Sequence, residues 1–73
     1  MKPNQYKARF DALTDRQKQI VRFMAQGMSD AEMAEALKRS PHTIAAHART
    51  IMAAVGIPKR TALTAEAVRA GIA

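Results

Sequence analysis

Cysteine is absent, so the chain has neither a disulfide nor a thiolate metal site to hold it together. At 73 residues it lies near the lower limit at which an apolar core suffices without such staples. Tryptophan is also missing, and the aromatic residues are Tyr6, Phe10 and Phe23. No stretch alternates as a strand would, and the apolar residues are mostly Ala, Met, Ile and Leu, so the expected fold is a single all-α domain, helix packed on helix. No apolar run approaches the roughly 20 residues that span a bilayer. The Met1-Lys2-Pro3-Asn4 start lacks the apolar stretch of a secretory signal, and the expected location is the cytoplasm, with no membrane contact. Catalysis has little to work with: there is no cysteine nucleophile, no glycine-rich phosphate loop and no Ser/His/Asp arrangement with a sheltering pocket. A non-enzyme without cofactor is expected. His42 and His47 stand five residues apart on different helix faces with no local carboxylate, so no metal site is expected either.

Acidic residues are scarce, 6 against 12 Lys and Arg, and the net charge of +6 suits a polyanionic partner. The distribution is uneven. Residues 1–27 carry +4, residues 28–37 carry −3 and residues 38–73 carry +5. An acidic segment between basic flanks fits an element that stands back while its neighbours touch phosphate.

That acidic segment opens the most informative stretch. Ser29 followed by Glu32 forms a capping box, and Met33, Ala34 and Leu37 recur at helical spacing, predicting a helix over 30–39. Ser40 can cap a further helix whose first position is Pro41, where the missing N–H costs nothing. That helix is predicted over 41–55, stopped by Gly56 and Pro58, with Ile44, His47, Ile51 and Val55 inward. Two helices joined at a tight corner near Lys38–Ser40 are the grammar of a helix-turn-helix. Upstream, Thr14 and Gln17 form another capping box and open a helix running to about Gln26, with Ile20, Val21, Phe23 and Met24 on its apolar face and Gly27 as its left-handed stop. Downstream, a last helix runs from Arg60 to about Ala70 with Leu63, Ala67 and Ala70 inward. Residues 1–12 read either as a free tail or as a short extra helix starting at Pro3-Asn4, with Tyr6, Phe10 and Leu13 on one face; residues 13–73 form the domain proper.

The order Leu13-Thr14-x-Arg16, Gly27-x-Ser29, Ala34, Leu37, Ser40, Thr43-Ile44, His47, Ile51, Gly56-Ile57 and Arg60 resembles the LuxR/GerE-type DNA-binding domain over about residues 13–71. The length resembles that of its small stand-alone, GerE-like members. The resemblance implies a four-helix domain in which the second and third of these predicted helices form the helix-turn-helix. The third would enter the major groove and the fourth would mediate dimerisation. The chain departs from the family where Gln17 and Gln19 replace acidic residues, Arg39 an apolar one, Ala45 a lysine, Thr50 an asparagine, and Ala54-Val55 a Lys-Leu pair.

On this basis the expected base contacts are Thr43 and Arg49, at positions the family uses, with Ala45 and Ala46 offering only apolar contact, for example to a thymine methyl. Arg49 can serve either a guanine or a phosphate. Lys38, Arg39, Ser40, His42, Lys59 and Arg60 are the expected phosphate contacts. His47, three residues after Ile44, is read as a hydrogen-bonded packing residue rather than a DNA ligand. Ala62, Ala65, Glu66 and Arg69 lie off the inward line of the last helix and are the expected dimer contacts. Two functions are in play. One is a sequence-specific transcription regulator that binds double-stranded DNA as a homodimer. The other is an antagonist that captures a larger LuxR-type regulator without reading DNA, which the missing recognition-helix lysines would suit.

Overall fold

In a computed structural model the described residues are 5–72. They form five helices and no strand: α1 (Lys7–Asp11), α2 (Asp15–Ala25), α3 (Asp30–Leu37), α4 (Pro41–Val55) and α5 (Arg60–Arg69). The four helices predicted over residues 14–70 are α2 to α5. Helix α1 is the short extra helix; its suggested start at Pro3-Asn4 lies outside the described residues.

Local chemistry sets most boundaries. Thr14 and Ser29 each accept the N–H of the residue three positions on, while Gln17 and Glu32 return a hydrogen bond from the N-cap N–H, so both capping boxes are complete. Ser40 caps α4 with Pro41 at its first position. Helices α2, α3, α4 and α5 all end in one way: an N–H reaches back five residues across a left-handed residue, from Met28 to Phe23, Arg39 to Ala34, Ile57 to Met52 and Ile72 to Ala67. Three of these left-handed positions are glycines, and the fourth is Lys38, at φ 56°. Helix α3 therefore stops at Leu37 rather than running on to Arg39, because Lys38 has left the right-handed region.

Packing joins α2 to α5 and α3 to α4, with α1 laid against α4. Phe10, Ile20, Val21, Met33, Ile44, Ile51, Val55, Leu63 and Ala67 are fully buried in the shared core. Tyr6, Phe23 and Leu37 pack partly buried against it. One register assignment is corrected. On α4 it is Ala48, not His47, that joins Ile44, Ile51 and Val55 in the core, since residues 44, 48, 51 and 55 repeat at helical spacing about one line. His47 is half-buried beside that line and makes no hydrogen bond among the described residues.

Side chains far apart in sequence fasten the helices. Arg9 Nη1 donates to the carbonyl of Val55 at 2.9 Å, at the C-terminal end of α4. The last turn of α4 has no basic residue of its own, so α1 supplies the cation that the negative end of the helix dipole favours. Arg60 Nη1 meets Asp30 Oδ1 at 2.7 Å, tying the start of α5 to the start of α3. Arg22 Nε holds the carbonyl of Ile72 at 3.0 Å, fixing the residue after α5 to α2.

Candidate nucleic-acid interface

The corner between α3 and α4 is built from the backbone outward. The left-handed Lys38 turns the chain, Arg39 follows it, and both side chains are exposed with no ion pair among the described residues. Ser40 Oγ accepts the N–H of Thr43 at 3.1 Å and shares a second hydrogen bond with Thr43 Oγ1 at 2.9 Å. Capping thus fixes the N-terminus of α4 and places His42 beside it, exposed. Lys38, Arg39, Ser40 and His42 are brought together at one end of α4. Lys59, the exposed N-cap of α5, stands in the loop beyond the other end.

Away from the core, α4 presents His42, Ala45, Ala46, Arg49, Thr50 and Ala53, with Thr43 partly buried at the side. Arg49 is exposed and has no partner among the described residues, so all its N–H donors are free. Thr50 is different, because its hydroxyl donates to the carbonyl of Ala46 at 3.1 Å. Ala45 and Ala46 are partly buried and add no polar atoms to the face. Beside Arg49 an open, mostly apolar groove of about 380 Å³ runs past Met52, Ala53, Gly56, Ile57 and Pro58.

Arg60 is not free in this arrangement, since its guanidinium is paired with Asp30. Asp30 itself sits in the first turn of α3, where a carboxylate also suits the positive end of that helix. Glu32 is spoken for as well. The Ser29 backbone N–H and then the Ser29 hydroxyl hold its carboxyl below the ordinary range. On α5, Ala65 and Arg69 are exposed, Glu66 is partly buried and paired with Arg69 at 2.6 Å, and Ala62 leans on the core. Val68, 56 % exposed, is the large hydrophobic side chain most open to solvent among the described residues. Sequence reasoning passed over Val68, although its spacing from Ala65 and its absence from the Leu63/Ala67/Ala70 line could have singled it out. Arg9 and Asp30 were missed for a different reason, as each acts only through a partner 30 or more residues away. Among the described residues no group of three or more His, Cys, Asp or Glu could hold a metal ion, and no helix is long and apolar enough to cross a membrane.

Comparison with known proteins places this architecture. The sequence model of the family described as "GerE: Bacterial regulatory proteins, luxR family" matches residues 11–67. Among curated proteins, the chain is 35% identical over 60 residues to "Putative HTH-type transcriptional regulator Rv0890c" of Mycobacterium tuberculosis (strain ATCC 25618 / H37Rv). It is 33% identical over 60 residues to "Putative HTH-type transcriptional regulator Mb0914c" of Mycobacterium bovis (strain ATCC BAA-935 / AF2122/97). Both alignments cover 82% of this chain and 7% of the relative. The chain thus spans a small fraction of the length of the curated relatives it matches. No solved structure matches it.

Proposed function

Because this chain belongs to the GerE, luxR family of bacterial regulatory proteins, a family of DNA-binding regulators and not an enzyme class, we propose that it is a sequence-specific transcription regulator acting in the cytoplasm. Helix α4 lies in the major groove, and Lys38, Arg39, Ser40, His42 and Lys59 contact the phosphates on either side. The observation that carries this reading is the capped end of α4: exposed, unpaired Lys38 and Arg39 at the corner, with Arg49 free on the outward face of the same helix. Phosphate contacts of this kind set position, while Thr43, Ala45, Ala46 and Arg49 meet the base edges. Arg60 enters with its Asp30 pair intact, directing its remaining donors at a phosphate.

A single domain of this size makes few base contacts, and selectivity comes from pairing. Two copies meet through α5, with Ala65, Val68 and Arg69 at the centre and Ala62 and Glu66 at the edge, presenting their α4 helices to adjacent grooves about 34 Å apart. Ala65→Glu should then yield a folded monomer in sedimentation. A parent chain that is monomeric at high concentration removes the homodimer from the proposal.

A second reading, capture of a larger LuxR-type regulator, is favoured by the few polar groups on α4 and the apolar groove beside Arg49. Paired titrations of the same variants, one against a randomised duplex library and one against such a regulator, separate the two. DNA reading predicts that Arg49→Ala weakens specific binding by roughly 1–3 kcal/mol and that Ala45→Lys raises general affinity while blurring selectivity. Antagonism predicts that Arg49→Ala leaves capture nearly intact while bulky substitutions on α5 abolish it. Specific DNA binding unchanged by Arg49→Ala would defeat the assignment of this face.

A further inference from the structure

We propose that α4 reads one guanine and the methyl groups around it: Arg49 takes the guanine, while Ala45, Ala46 and Ala53 select thymine C5-methyls, so that each half-site is a guanine set among A·T pairs. This rests on the chain being a DNA reader and names the class of sequence it reads.

The reasoning begins with the hydrogen-bonding capacity of the outward face. Thr50 has given its hydroxyl proton to the Ala46 carbonyl, one turn back on its own helix. Thr43 and Ser40 hold each other's hydroxyls, and Ser40 also accepts the Thr43 N–H. This polar pair sits at the capped first turn of α4 with His42 beside it, so Thr43 meets its base edge with a hydroxyl already engaged by Ser40. Arg49 is then the one side chain along the body of the outward face with every donor uncommitted among the described residues. A guanidinium in the major groove matches guanine best, because O6 and N7 accept two of its N–H groups in parallel.

The alanines of the outward face supply Cβ atoms and nothing more. Ala53 is exposed, and Ala45 and Ala46 are partly open. Thymine carries the one natural base substituent in that groove that an Ala Cβ satisfies. A cytosine or adenine amino group set against the same Cβ would lose its water and gain no acceptor, which penalises the wrong base more than the methyl contact rewards the right one. Selection by exclusion therefore needs no polar residue at these positions.

The test changes the DNA and leaves the protein as it is. The full chain is used to select from a randomised duplex library, and the enriched duplex is resynthesised with deoxyuridine in place of thymine, which removes only the C5-methyl, or with 7-deazaguanine in place of guanine. Each contacted methyl removed should weaken binding about four-fold. Loss of guanine N7 should weaken it about ten-fold for the parent chain and not at all for Arg49→Ala, since the two changes delete the same contact. Replacing a contacted thymine by cytosine should cost affinity that 5-methylcytosine partly restores. An enriched duplex indifferent to deoxyuridine, or an Arg49→Ala variant as sensitive to 7-deazaguanine as the parent, overturns the inference while leaving DNA binding in place. A library that yields no enriched sequence overturns the DNA reading itself and this inference with it.

Discussion

Replacing Arg9 by Met should destabilise the domain by about 1 kcal/mol, although Arg9 lies outside the residues that match the family. Its guanidinium donates at 2.9 Å to the Val55 carbonyl, one of the orphan acceptors at the end of α4. A hydrogen bond from a charged donor contributes roughly 1.5–3 kcal/mol when shielded. Arg9 is an exposed residue, however, and the freed carbonyl can turn to water, so solvent screening brings the figure toward the lower end. The favourable placement of a cation at a helix C-terminus adds roughly 0.3–1 kcal/mol at low salt, and α4 has no other cation in its last turn. For a domain of this length about 1 kcal/mol lowers the melting temperature by roughly 4–8 °C. Met retains most of the aliphatic stem, so the change reports the guanidinium; Arg9→Lys should recover part of the loss by keeping the charge. Circular dichroism melts at two ionic strengths measure both components, with the dipole part shrinking at high salt. Gly56 gives an internal check. A Cβ there would lie 2.6 Å from Arg9 Nη1, and its φ of +83° strains any other residue. Gly56→Ala and Arg9→Met should therefore be non-additive, because removing Arg9 relieves the clash and leaves only the backbone strain. A melting temperature for Arg9→Met within a degree of the parent, or strict additivity with Gly56→Ala, refutes the reasoning.

Lys38→Gly should stabilise the fold by up to about 1 kcal/mol in urea unfolding, since a lysine at φ 56° bears a steric penalty that glycine escapes, less the entropy glycine loses on folding. The same variant should bind DNA more weakly, and an equal or tighter complex would take Lys38 out of the phosphate contacts. Lys59→Gln should flatten the log–log salt dependence of DNA binding by about 0.9 while leaving base preference unchanged, as titrations at several salt concentrations would reveal. Glu32 has a folded-state pKa below its ordinary value, so its contribution to stability is present above the ordinary glutamate range and is lost as pH falls through the folded value. Glu32→Gln keeps a capping side chain without the titration, and its stability should approach that of the parent in acid; a gap that widens as pH falls contradicts the assignment.

Much of this protein is written locally. The caps at Thr14, Ser29 and Ser40-Pro41 and the left-handed stops at Gly27 and Gly56 each depend on a few neighbouring residues, so the sequence alone located α2 and α4 closely and set out the helix-turn-helix between Ser29 and Val55. The inward lines Ile44/Ile51/Val55 and Leu63/Ala67/Ala70 were legible for the same reason, helical periodicity being a property of one segment. The left-handed Lys38 was not, because no local signal distinguishes a lysine there from one that continues the helix; the turn onto α4 decides it. Nor was Ala48 preferred over His47, since adjacent positions on a helix differ by about 100° and only the neighbouring helices show where the seam runs. The sequence also listed cations without showing which are free. Tertiary structure commits Arg9 to Val55, Arg22 to Ile72 and Arg60 to Asp30, and leaves Lys38, Arg39, Arg49 and Lys59 without partners among the described residues. The physical reason is separation along the chain: these partners lie 30 to 50 residues apart, and a guanidinium finds its acceptor only once the helices that carry the two have packed.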